Sequence, residues 1–185
     1  TGNVSGKEVV QVYASLPGGI LEKEAHRLAA YAKTNELKPG EAQEVTMEVK
    51  MDGLTSYDEK RAAWILESGF YGIWVGNSLA SAKLCGGIKL DQEVIRRQVR
   101  NLFPLKQELE EISQEASKTA KRAAAAAQQA KEEELTVLNI RGADIATETV
   151  EYKKNADLYE KEAMDFVNTL SEEDLIDLAA GDPGK

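Results

Sequence analysis

The chain has 185 residues, 42% apolar and 30% charged, with a net charge of −9, the scale of one domain with a substantial extension or of two small ones. The acidic balance argues against nucleic acid or an anionic membrane as partner, because phosphate neutralisation needs a basic face and only Arg96, Arg97 and Arg100 cluster. One cysteine and one histidine exclude an internal disulfide and leave a Cys-rich zinc site or a Ser-His-Asp triad almost nothing to draw on.

Residues 1 to about 91 read as β-structure. Thr1 to Gly6 reads as a turn, and the natural N-terminus is expected upstream of it. Val10, Val12, Ala14 and Leu16 recur with period two, and Val45, Met47, Val49 and Met51 repeat the pattern. Such alternation marks half-buried strands with one face on a core. Turn chemistry punctuates them at Pro17-Gly18-Gly19, Lys38-Pro39-Gly40-Glu41, Ser68-Gly69 and Gly76-Asn77-Ser78. The expected strands are 9–16, 27–34, 43–51, 62–66, 69–76 and 80–90.

The stretch Leu66-Glu67-Ser68-Gly69-Phe70-Tyr71 has a mechanism. A Tyr near the start of a sandwich strand can return its hydroxyl to the upstream backbone, the tyrosine corner of immunoglobulin-like and fibronectin type III domains. The fold class expected for the N-terminal half is therefore a mainly β sandwich of that type, followed by an α-helical extension. Such a sandwich has seven strands, so a first strand is expected before Thr1.

Individual residues in this half each have a bland and a sharp reading. Cys85, in the run Ala82-Lys83-Leu84, reads as a small buried residue rather than a reactive thiol. His26, inside Glu22-Lys23-Glu24-Ala25-His26-Arg27, reads as solvated or partner-facing. Trp64, Trp74, Tyr13 and Tyr31 could form a sugar-stacking platform. Against that, Trp64 is expected in the core beside Leu66. Trp74, opposite Tyr71, Ile73 and Val75, is expected in interface packing.

From Gln92 the pattern becomes helical. Pro104 suits a first turn, and Leu102, Leu105, Leu109, Ile112, Ala116, Thr119, Ala123, Ala126 and Ala130 run at three- and four-residue spacing. That predicts an amphipathic helix of about 30 residues, about 45 Å long. Its apolar stripe thins to alanine, so its second half relies on propensity and close packing. Leu135 to Ile140 reads as a short extended run. A helix is expected over 157–169, burying Leu158, Ala163, Phe166, Val167 and Leu170. Ser171 then caps a short helix with acids in its first turn, carrying Leu175, Ile176 and Leu178 and stopping at Gly181. No stretch approaches about 18 consecutive apolar residues.

Thr1-Gly2-Asn3-Val4-Ser5-Gly6-Lys7-Glu8-Val9-Val10-Gln11-Val12-Tyr13, Leu37-Lys38-Pro39-Gly40-Glu41, Ser56-Tyr57-Asp58-Glu59, Gly69-Phe70-Tyr71 and Val75-Gly76-Asn77-Ser78 resemble, as a set, the fibronectin type III-like domain of family 3 glycoside hydrolases, the β-glucosidase type. Phe166 to Leu175 is similar to the helix leading into that family's (β/α)8 barrel. In the usual order the barrel comes first. A barrel-leading helix after the sandwich is similar to the circularly permuted branch.

The resemblance divides the chain into a sandwich over 1–91, a long helix and connector over 92–156, and helices over 157–185 that lead into a barrel domain not present. It implies partners within the same polypeptide, an α/β sandwich domain and the barrel, with a homo-oligomer left open. It also implies a retaining glycosidase as the whole protein, with a carboxylate nucleophile and a second carboxyl group as acid/base. The motifs that carry those groups have no counterpart here. No residue of this chain is assigned a catalytic, cofactor-binding or metal-ligating role. The expected part is a non-catalytic brace and link within a bacterial-type soluble protein, with the cytoplasm favoured. The alternatives are a free-standing protein-interaction module and a carbohydrate-binding module.

Overall fold

The structure is a computed structural model and describes residues 3–103, 107, 116–151 and 156–180. The expected helical turns over 104–106 and 108–115 and the stop at Gly181 lie outside the described residues. So do the side chains of Leu158 and Leu178. The chain forms two compact units, Thr1–Val150 and Glu151–Lys185.

The first unit is built on two sheets. Strands β1 (Val9–Ser15), β2 (Arg27–Lys33), β5 (Gly69–Gly76), β6 (Lys83–Leu90) and β8 (Val137–Ile140) form one, in the order β2-β1-β5-β6-β8. Strands β3 (Ser56–Asp58), β4 (Ala63–Leu66), β7 (Val94–Gln98) and β9 (Glu148–Thr149) form the other, in the order β3-β4-β7-β9. Neighbours are antiparallel except at β6/β8 and β7/β9, which run parallel.

The core contains Ala14, Leu16, Leu54, Leu66, Tyr71, Leu90 and Val94, with Ile73, Ile88 and Ile140 packed against it. The alternation read in β1 holds at Val12 and Ala14, which are buried, and ends where Ser15 and the following Leu16 are buried together. The second unit contains α2 (Ala156–Val167) and α3 (Glu172–Ala180).

Helix α1 (Ala116–Glu132) makes a third layer, lying on β5 and β6. It buries Thr119, Ala123, Ala126 and Ala130, the small-residue stripe anticipated from their spacing. Small side chains let the helix backbone come close to the sheet. A Cβ placed on Gly18 would overlap the Ala120 backbone. The helix ends with Glu134 in the left-handed conformation at φ 52°. Leu135 N donates to Ala130 O at 2.8 Å and Glu134 N to Lys131 O at 3.3 Å, and Leu135 packs in the same cluster as Ala130. That pairing satisfies two terminal carbonyls and turns the chain into β8.

Several expectations need correction. The 43–51 segment is not a strand, although Val45, Met47, Val49 and Met51 are half-buried in alternation. Val49 and Met51 touch the core, but no ladder pairs the segment with β2, and a cleft of ≈ 490 Å³ separates Thr46–Glu48 from Leu28–Ala32. Period two sets which side chains point inward; a strand also needs a partner backbone. Strands β3, β7 and β9 were not anticipated, being short or rich in charge.

Helix α2 forms, but Ala163 is exposed and Phe166 is 59% exposed. A unit containing two short helices has too few elements to cover every apolar face.

Candidate functional site

Three arrangements in the first unit carry specific geometry. The first is the corner predicted from Leu66 to Tyr71. Tyr71 is buried and its hydroxyl donates to Glu67 O at 2.8 Å. Burial raises the Tyr71 phenol above its ordinary value, and the Glu67 charge adds to this. Gly69 sits at φ +133°, a conformation side-chain-bearing residues rarely adopt.

Glu67 also acts through its carboxylate. It pairs with the buried Lys23 ammonium, and its Oε1 accepts from Ile20 N at 2.5 Å. Lys23 Nζ further donates to Pro17 O at 3.1 Å. One residue therefore ties the 17–23 turn region to the corner. This pair has no local signature, because its members lie 44 residues apart.

The second arrangement is the seam under α1. Trp74, like Phe70, Leu135 and Val137, packs against a buried cluster of Leu84, Ala126 and Ala130. Its Nε1 donates to Ser15 Oγ at 2.9 Å, and His26 stands edge-on to it with centroids 5.0 Å apart. The interface packing expected for Trp74 is thus supplied by the chain's own helix. His26 is half-buried at a cavity of ≈ 190 Å³ lined also by Ala25, Arg122 and Gln129, a correction to the solvated reading. Burial, and then the Arg122 charge, lower the His26 imidazole below its ordinary value.

The third arrangement surrounds Trp64. Its burial expectation is overturned: Trp64 is 41% exposed, while Ala63, Ile65 and Leu66 beside it are buried. The β4/β7 register slips between Trp64 and Ile65. Ile65 and Leu66 are adjacent and both buried, so period two does not assign sides there. Trp64 meets Tyr57 across the ladder, with centroids 5.3 Å apart at 48°. Beside it a cleft of ≈ 210 Å³ is lined by Asp52, Thr55, Arg96 and Arg97.

The four aromatic residues proposed for one platform do not meet as one. Trp64 is on β4, whereas Tyr13, Tyr31 and Trp74 lie on three strands of the other sheet. Cys85 is exposed on β6, not buried. Of its neighbours on that strand, Leu84 turns under α1 and takes the buried position.

Arg61 bridges Asp58 and Glu93, and its hydrogen bond holds the Asp58 carboxyl below its ordinary value. Among the described residues, no group of three or more His, Cys, Asp and Glu could hold a metal, and no helix is long and apolar enough to cross a membrane.

Comparison with known proteins accords with this architecture. The profile of the fibronectin type III-like domain family matches residues 8–79. β-Glucosidase A of Butyrivibrio fibrisolvens is 44% identical over 105 residues, 54% of this chain and 13% of that protein. The β-glucosidase of Ruminococcus albus is 38% identical over 110 residues, 56% of this chain and 12% of that protein. Among solved structures, β-glucosidase 3B from Thermotoga neapolitana is 39% identical, covering 50% of this chain and 13% of that one, with a TM-score of 0.47. The chain thus spans about an eighth of the length of the curated relatives it matches. Over about half its length it is similar to proteins named β-glucosidases, and residues 8–79 match the fibronectin type III-like domain.

Proposed function

We propose that this chain is a non-catalytic brace and link within a longer β-glucosidase-like enzyme, and that the whole enzyme releases terminal β-linked sugars with retention. The observation that carries the reading is the disproportion between the match and its relatives. Proteins named β-glucosidases match this chain over only 13% and 12% of their own length, and that stretch folds as a sandwich whose buried charges are spent on its own packing. The seating of α1 on β5 and β6 supports the linking role, because the chain leaving the second sheet is held against the first before it continues.

In the retaining route, one carboxylate attacks the anomeric carbon and the leaving oxygen takes a proton from a second carboxyl group. Water then releases the glycosyl group, with the second residue acting as base. We assign neither group to this chain. Two measurements test the reading separately. The 185-residue chain alone should show no turnover of an aryl β-glucoside above buffer; clear turnover ends the non-catalytic assignment. A longer polypeptide containing this chain should hydrolyse the same substrate, with the β-anomer appearing first by proton NMR. An α-anomer as first product would overturn the retaining route.

A further inference from the structure

The Trp64 cleft has the make-up of a ligand site rather than of packing. A tryptophan in the middle of a sheet normally gives most of its area to neighbours. Trp64 leaves 41% of its surface open where Ala63, Ile65 and Leu66 beside it are buried, with Tyr57 tilted against its ring. The polar groups around the cleft are held in place. Arg96 donates from Nε to Asp52 Oδ1 at 2.6 Å and from Nη2 to Oδ2 at 3.3 Å, and Nη1 reaches Ala146 O at 3.1 Å. Arg97 Nε donates to Glu148 Oε2 at 3.1 Å. Thr55 Oγ1 donates to Asp52 O at 2.7 Å. The side chains are thus oriented before anything binds, which lowers the ordering cost of association.

We propose that this cleft is a binding subsite for a neutral pyranose ring of gluco configuration. Both guanidinium groups that line it are already paired with a carboxylate, Arg96 with Asp52 in the lining and Arg97 with Glu148 beside it, so the charge is balanced and an ionic ligand gains little. A neutral polyol uses both kinds of group. A guanidinium carries five N–H donors and a carboxylate about four acceptor positions, more than the ion pairs consume. The indole supplies an apolar face at the same place. A gluco ring has all its substituents equatorial and presents axial C–H bonds on both faces, so it lies flat on an indole while its hydroxyls reach sideways. An axial hydroxyl blocks one of these two faces and leaves only the other to stack. A proline-rich peptide also stacks on tryptophan, but it has no hydroxyls to engage Asp52 and Arg96. This site does not depend on the bracing role and stands or falls separately from it.

The test uses the whole 185-residue chain, labelled with 15N. Its two tryptophans give two indole N–H signals, and Trp74 serves as an internal control. Titration with methyl β-D-glucopyranoside and with cellotetraose should shift the Trp64 signal saturably with roughly millimolar Kd, the range expected for so small a ligand, and leave Trp74 in place. Asp52→Asn should weaken binding several-fold, and methyl β-D-galactopyranoside should bind more weakly than the glucoside. Trp64→Ala should abolish saturation as read on the sugar's own line widths, with near-ultraviolet dichroism from Trp74 reporting that the sandwich is intact. Absence of a saturating Trp64 shift at about 50 mM of either sugar, equal shifts of both tryptophans, or saturation by a proline-rich peptide but not by sugar would overturn the proposal.

Discussion

Tyr71 and Glu67 concentrate the energetics of the sandwich into two side chains. Tyr71→Phe keeps the ring and removes the hydroxyl that donates to Glu67 O. A buried carbonyl left unsatisfied costs about 1–3 kcal/mol. The expected outcome is a lower urea midpoint with an unchanged slope, followed by tryptophan fluorescence. Lys23→Met should cost more, about 3–5 kcal/mol, because it strands a buried carboxylate. Adding Glu67→Gln should recover part of that loss, since the amide oxygen still accepts from Ile20 N. A double-mutant cycle measures the coupling; strictly additive losses would contradict it. The corner was legible in the sequence because donor and acceptor lie four residues apart. The Lys23–Glu67 pair was not, because only the fold brings the two together. The exposure of Trp64 is not legible in the sequence because the register slip beside it leaves no mark in the hydrophobic pattern.

Helix α1 shows how alanine can specify a contact. Its stripe of Thr119, Ala123, Ala126 and Ala130 adds little apolar area, and its value lies in how near the sheet it allows the helix to come. Ala126→Leu should therefore destabilise by about 1–3 kcal/mol through overpacking. Faster hydrogen exchange in 116–132 and a red-shifted Trp74 emission would report it. The seam is also pH-sensitive in one direction. His26 keeps a lowered pKa in the folded state, so the unfolded chain takes up its proton first. The stability this contributes is complete above about pH 6.5 and declines as the pH falls from there towards the folded value. Around His26 stand Trp74 on β5, Ser15 on β1 and Arg122 on α1, with Lys23 and Glu24 just before it in the chain and Arg27 just after it at the start of β2. Asp58 and Glu24, both lowered, contribute above their ordinary values of 3.8 and 4.5 and lose that contribution only in stronger acid. Urea midpoints compared at pH 7.5 and 5.5 should thus fall in the parent chain and fall less in His26→Gln. In α3 the anticipated cap is present: Ser171 Oγ accepts from Asp174 N at 3.1 Å, and Asp174 Oδ2 accepts from Ser171 N at 3.1 Å. Ser171→Ala should cost about 1 kcal/mol of local helix stability, read by amide exchange over 172–180.

At the scale of the whole chain, the compact unit reaches Val150. Strand β7 lies between β4 and β9, β8 flanks β6, and α1 covers β5. A fragment ending at residue 91 loses all of these. It should lack a cooperative unfolding transition, whereas one ending at 150 should keep it; near-ultraviolet dichroism during urea titration distinguishes them. The sequence marks β1, β2, β4, β5 and β6 because turns and alternation announce them, but the same alternation over 43–51 forms no ladder. The sequence shows β8 as the extended run Leu135 to Ile140 but conceals β3, β7 and β9, which are short or rich in charge and depend on partner strands made elsewhere in the chain. The pairing of β6 with β8 has a consequence in time. The chain departs from Leu90, contributes β7 to the other sheet and α1 to the third layer, and only then returns to lie parallel beside β6. Closing so long a loop is slow compared with forming a hairpin. During synthesis on the ribosome, β6 emerges with an open edge and waits for its neighbour to be translated, the interval in which a chaperone or another nascent strand competes for it.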